Sequence, residues 1–173
     1  MTRKTTPPPF PGNHSFRSPS SGPDWKREVA GKSPQDVLDG QLSAREKIDM
    51  LLALEAYDEI AQLDGVNIVD VRQNWMEGSG HYTCTSYVFG KRKYVDWVRD
   101  NENYKHPEGY SEIGKPEKGD IVFYFHDGAP KHVGIYDGDN MVRSKFGEGH
   151  VYRHPIALIP TFYGEPRFFR KNK

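Results

Sequence analysis

The chain has 173 residues, and its 24 basic and 24 acidic side chains leave a formal net charge of zero. That balance provides no bulk attraction for nucleic acid or an anionic membrane, and no apolar run approaches the ~20 residues of a membrane span. The single cysteine, Cys84, excludes an internal disulfide and cannot alone build a zinc site.

Residues 1–24 are rich in Pro, Ser, Thr and Gly and include the run Pro7-Pro8-Pro9. Such a stretch buries too little apolar surface to offset the entropy of ordering, so it reads as a disordered tail. Its functional alternative is a docking peptide for a protein partner. Arg3 and Lys4 are not followed by an apolar segment, so no secretory signal is read. With one free thiol, this points to a cytoplasmic protein or one secreted by a signal-independent route. Residues 25–173 read as one domain, with helices over 33–65 and a core over 74–170.

Ser33-Pro34 starts a short helix through Val37 and Leu38, stopped by Gly40. Ser43-Ala44-Arg45-Glu46 is a capping box. The apolar period of Ile48, Leu51, Leu52, Leu54, Ile60 and Leu63 extends the following helix to Gly65. After the turn Gly78-Ser79-Gly80, Cys84 falls in the first turn of a helix that reaches Phe89 and closes at Gly90. Val95, Trp97 and Val98 read as a second helical piece. Asn101 to Lys118, polar and rich in Gly and Pro, reads as a loop.

From Gly119 the period changes to two. Ile121 to Phe125 is a strand buried on both faces, and Lys131 to Tyr136 is a second. Asp137-Gly138-Asp139-Asn140 is a hairpin turn. Met141 to Phe146 is a third strand, Gly147 to Gly149 another turn, and His150 to His154 a fourth strand. Arg167 to Phe169 is the fifth. Helices followed by an antiparallel meander make an α+β fold, with N-terminal helices on a small sheet or half-barrel of about five strands.

A lone cysteine with a histidine far downstream is the pattern of a nucleophile and its base. His132 opens the second strand. A helix N-terminus and a nearby imidazole both favour the thiolate of Cys84. Pairing through the 137–140 turn sets Ser144 roughly opposite His132, so Ser144 is a candidate to orient the imidazole. The next hairpin brings His154 or Arg153 beside Ser144, and His154 competes for that role. Acyl transfer also needs oxyanion donors: the Cys84 N–H is the first, and the side chain of His81 or Tyr82 a candidate for the second. Taken singly, a strand histidine is more often a core residue and a strand serine a surface one. No histidine has the spacing of a zinc motif, and no cofactor or metal is expected.

Lys118-Gly119-Asp120-Ile121-Val122-Phe123-Tyr124 followed by His132-Val133-Gly134-Ile135-Tyr136-Asp137-Gly138 resembles the papain-like NlpC superfamily of cysteine peptidases and amidases, which includes the CHAP amidases. There a "pGDlvff" strand precedes an "HvGiY-G" strand carrying the base, and the nucleophile lies upstream at a helix start. Ser144-Lys145-Phe146-Gly147, His154-Pro155, Ile159-Pro160 and Tyr163-Gly164 resemble a branch with an "SKWG…H…VP..YG" pattern. The likeness spans roughly Asn74 to Arg170. The cell-wall enzymes usually read Asp-Cys-Ser-Gly at the nucleophile, where this chain has Thr83-Cys84-Thr85-Ser86. Their third polar residue, commonly His, falls at Ser144. The resemblance implies a papain-like fold. It also implies a thiol hydrolase that cuts an amide, peptide or isopeptide bond of a peptide or protein-conjugate substrate. The alternatives are an inactive binding module and an acyltransferase of the same fold.

Overall fold

The computed structural model describes residues 2–5, 25–71, 75–76, 80–81, 83–90 and 95–173. It is α+β. The principal sheet has seven strands, all paired antiparallel, in the order β2-β11-β10-β9-β8-β12-β7. Here β2 is Asn67–Asp70, β7 Tyr110–Ile113, β8 Ile121–His126 and β9 Ala129–Tyr136. The others are β10 Met141–Lys145, β11 Val151–Pro155 and β12 Glu165–Lys171. A three-stranded sheet joins β1 (Thr2–Thr5), β5 (Trp97–Asp100) and β6 (Asn103–Pro107), and β3 (Trp75–Met76) pairs with β4 (Gly80–His81).

The strand count exceeds the expected five because several strands are polar edge strands. β6 and β7 occupy the stretch read as a loop; apart from Pro107 their side chains are half-buried or exposed, and the few that turn inward, among them Tyr104 and Tyr110, are too scattered among polar residues to give an apolar period. The piece read as helical around Trp97 is a strand: Val95 and Trp97 are buried on either side of half-buried Asp96, a period of two. Thr2–Thr5, expected within a disordered tail, pairs along the whole of β5. An open strand edge offers backbone partners and asks for no apolar side chain. Residues 6–24 lie outside the described residues.

The helices form where their caps are. Ser33 caps α2 (Pro34–Asp39) and Ser43 caps α3 (Ala44–Ala53), each with a complete capping box. The long helix expected to reach Gly65 stops at Ala53, and α4 (Tyr57–Ile60) follows separately, α1 being Trp25–Glu28. Glu55 takes the left-handed conformation at φ 56°. The Ala56 N–H then bonds back to the Leu51 carbonyl at 2.8 Å and the Glu55 N–H to Leu52 at 3.0 Å. This is a helix-ending Schellman turn built without glycine, so the sequence carries no marker of it.

Two cores cover the two faces of β8 and β9. Ile48, Leu51 and Leu52 of α3 pack against Val122, Tyr124, Val142, Phe146 and Tyr152 on one face. Trp97, Phe123, Phe125, Val133 and Phe169 fill the other together with Cys84. Trp97 meets Phe123 edge-on at 4.7 Å between centroids and makes similar contacts with Phe125 and Phe169. Asp120, the acid of the Gly-Asp pair, receives Arg170 Nε at 2.8 Å and Nη2 at 2.7 Å, which ties the start of β8 to β12. Burial alone would raise the Asp120 carboxyl, but these bonds and the Glu117 N–H hold it below its usual range.

Gly164, at φ 89°, lets β12 begin directly against β8: a Cβ there would stand 1.8 Å from the Phe125 carbonyl oxygen. Gly164→Ala is expected to lower the thermal midpoint by at least about 5 °C. Gly114→Ala, where a Cβ meets nothing within 4 Å, is the control and should leave the midpoint nearly unchanged in the same scan.

Candidate functional site

Cys84 opens α5 (Cys84–Phe89), as the sequence led us to expect, and Gly90 closes the helix at φ 74°. Thr83 is the N-cap: its hydroxyl accepts the Ser86 N–H at 3.3 Å and lies 3.2 Å from the Ser86 hydroxyl. The thiol is 1 % exposed. The backbone N–H groups of Val133 and Thr85 donate to its sulfur, and the Thr85 hydroxyl lies 3.9 Å away. Val133 is the residue next to His132, so α5 sets the sulfur directly against the strand that carries the expected base.

His132 is fully buried in an aromatic cage. The Tyr163 ring lies parallel to the imidazole at 4.2 Å, with Tyr124 at 5.7 Å and Phe146 edge-on at 5.9 Å. Tyr163 is held from the far side by α3. Arg45 donates to the carbonyls of Ile159, Pro160, Thr161 and Gly164, and Asp49 accepts the Thr161 N–H and hydroxyl. These bonds fix the single-turn 3-10 segment Thr161–Tyr163 on which the stacked ring sits.

Neither ring nitrogen of His132 has a hydrogen-bond partner among the described residues, so no thiol–imidazole bond is formed. Strand alternation explains why. Val133 faces the core that contains Cys84, and His132, its neighbour, faces the core that contains Tyr124, Phe146 and Tyr163.

The expected third group is also placed differently. The β9–β10 register pairs Val142 with Tyr136 and Arg143 with Ile135. Continued, it sets Ser144 opposite Gly134, two residues from the expected position opposite His132. Across the next hairpin Ser144 pairs with Tyr152, and His154 pairs with Val142. The His154 Nε2 nevertheless reaches diagonally to the Ser144 hydroxyl at 2.8 Å, and its Nδ1 lies 2.8 Å from the Pro155 carbonyl. Ser144 and His154 thus bond each other, and neither bonds His132. Of the oxyanion candidates, Tyr82 and the side chain of His81 lie outside the described residues; the His81 backbone pairs with Trp75 in β4.

Protonation follows burial. Removal from water pushes the Cys84 thiol up, against the smaller opposing pull of the Val133 and Thr85 donors and the Lys145 charge. The short helix therefore does not deliver the lowered thiol expected from its N-terminus. Burial, helped by the neighbouring His154, holds His132 well below the usual histidine range, and burial brings His154 down to about 4. The resting pair is a neutral thiol and a neutral imidazole.

The sequence offers Lys145 only as part of the Ser144-Lys145-Phe146-Gly147 stretch, with no role of its own. Its side chain is buried, with Nζ donating to the carbonyls of Gly147 at 2.8 Å and Gly149 at 2.7 Å. A lysine on a strand ordinarily signals an exposed face, so nothing local marked it. Among the described residues no three His, Cys, Asp or Glu side chains gather as a metal site requires, and no helix is long and apolar enough to cross a membrane.

The protonation states give an acid-stability prediction. His132 and His154 stay neutral in the fold but take up protons when unfolded below pH ~6.5, so unfolding is favoured as pH falls. Asp49 acts oppositely: burial raises its carboxyl to about 6, so between about pH 6 and about pH 4 the fold holds a proton that the unfolded chain releases. Between about pH 6 and about pH 5, above the range where the lowered carboxyls of Glu112, Asp120 and Asp137 take part, two histidine protons against one carboxyl proton leave about one taken up, a loss of about 1.4 kcal/mol per pH unit. Urea unfolding across that range should show this slope in the native chain and a nearly flat profile in His132→Phe. An unchanged slope in the variant means that the imidazole titrates normally. Compared with family models, with curated proteins and with solved structures, the chain matches none.

Proposed function

We propose that the chain is a papain-like thiol hydrolase that cleaves an amide, peptide or isopeptide bond through a thioester on Cys84. The observation that carries the reading is the pairing of two features at one point of β9. The Cys84 sulfur is held by the N–H of Val133, and the adjacent His132 keeps both ring nitrogens without a partner among the described residues. A buried imidazole with no hydrogen bond costs about 1–3 kcal/mol, and a fold that retains one gains nothing structural from its polarity. A base waiting for a proton accounts for it.

In this reading the chemistry starts from neutral groups. As the Cys84 sulfur attacks the carbonyl carbon, His132 takes the thiol proton. The Val133 N–H and the Lys145 charge stabilise the negative sulfur on the way, and the Cys84 N–H receives the developing oxyanion. Collapse to the thioester expels the amine with the proton from His132. Water then adds to the thioester with His132 again as base, and the thiol and acid are released. Substrate entry must bring the imidazole within hydrogen-bond reach of the sulfur, so the resting arrangement is a closed state. The substrate is a peptide or protein conjugate.

The burial of both groups favours one second reading, a binding module of the same architecture in which Cys84 is a core thiol. Iodoacetamide separates the two. A hydrolase should alkylate at Cys84 at neutral pH despite the raised thiol, and His132→Ala should slow that labelling at least about tenfold. A rate that is the same in His132→Ala and rises only with direct ionisation of the thiol overturns the hydrolase reading and leaves the binding module.

A further inference from the structure

Ser144 and His154 form a hydrogen-bonded chain whose direction can be worked out. A carbonyl oxygen only accepts, so at 2.8 Å from the Pro155 carbonyl the His154 Nδ1 must carry the ring proton. A neutral imidazole has one N–H, so Nε2 is left as an acceptor. The Ser144 hydroxyl, 2.8 Å from that nitrogen, must therefore donate to it. Its proton is then committed, and what remains on the Ser144 oxygen is lone pairs.

Those lone pairs have a neighbour in need of them. His132 and Ser144 project from the same face of adjacent strands, one diagonal step apart across Gly134. Gly134 keeps the diagonal open: a Cβ there would stand 2.8 Å from the Ser144 Cβ and 2.7 Å from a Val142 methyl. Phe146 contacts both rings, at 5.9 Å from His132 and 5.1 Å from His154. All three polar groups are fully buried, so no water competes for the position.

We infer that His154 is a positioning residue acting through Ser144: it fixes the serine as a pure hydrogen-bond acceptor, which can receive an N–H of His132 and cannot donate to it. The inference rests on the hydrolase reading, in which His132 is the base. Sequence reasoning set Ser144 and His154 as rivals for one role; here they act in series. An imidazole that gives its N–H to Ser144 presents its other, unprotonated nitrogen for the thiol proton. A serine free to rotate could instead donate to that nitrogen and block it.

The wild-type chain, labelled with nitrogen-15, decides the direction of the relay without any substitution. Ring correlations of the histidines should show His154 protonated on Nδ1 across neutral pH. A His154 protonated on Nε2 overturns the inference. The pH profile of Cys84 labelling by iodoacetamide tests the consequence. Ser144→Ala should slow labelling at neutral pH by about five- to tenfold, the loss of one neutral hydrogen bond. Ser144→Thr, which keeps the hydroxyl, should restore it. If Ser144→Ala labels like wild type while His132→Ala is slow, the relay is overturned and the hydrolase reading stands. If His132→Ala also labels like wild type, the hydrolase reading fails and the assigned role with it.

Discussion

From Ile121 to Phe125 every side chain of β8 is buried, and this strand together with β9 separates two hydrophobic cores. The rest of the molecule is organised by that double burial. On one face the helices α3 and α4 must cover Val122 and Tyr124; on the other Trp97, Phe169 and α5 must cover Phe123 and Phe125. With both faces covered, neighbours on β9 belong to different environments, so His132 and Val133 are assigned to opposite cores by backbone geometry alone. The candidate site straddles that division. The thiol arrives from one core and meets the strand at its backbone, while the imidazole turns into the other.

Such a position determines the chemistry available. In a dry interior the charged form of either group is disfavoured, so neither a thiolate nor an imidazolium is stored in the resting state. What opposes this at the sulfur is modest: the Val133 and Thr85 backbone donors and the more distant Lys145 charge, while His154 adds to the depression of His132. In the proposed hydrolase, activation is then a matter of geometry, with charge appearing only when the imidazole and the sulfur come within reach. The stacked Tyr163 and the Arg45 and Asp49 grip on its turn set how far the imidazole can travel.

Much of this frame can be read from residue patterns, and the failures have physical causes. The helix start at Ser33-Pro34, the capping box at Ser43, the helix from Cys84 to Phe89 and the strand period after Gly119 are local signals, and the structure has each of them. Glu55 broke the long helix by adopting a conformation that glycine normally advertises. β6 and β7 escaped because each turns only a few half-buried side chains, such as Tyr104 and Tyr110, toward the core among polar residues. At the site, Cys84 and His132 could be singled out by residue type, but their relation depends on register and on which face a helix covers. A two-residue difference in the β9–β10 pairing moved Ser144 from His132 to Gly134. The Lys145 burial and the Tyr163 stack depend on contacts remote in sequence, and no local pattern encodes them.

Lys145 has a consequence for the turn it reaches. Gly147-Glu148-Gly149 has the composition of a loose, cleavable loop tip. Its two glycine carbonyls are instead held by an ammonium in the interior, and the Gly149 N–H closes back on the Phe146 carbonyl at 2.7 Å. A protease needs a locally unfolded stretch of chain to bind and cut, which this segment can supply only by withdrawing a buried charge from its partners. The turn is therefore coupled to the global unfolding of the sheet, and its resistance to nicking reports the integrity of the core beneath it.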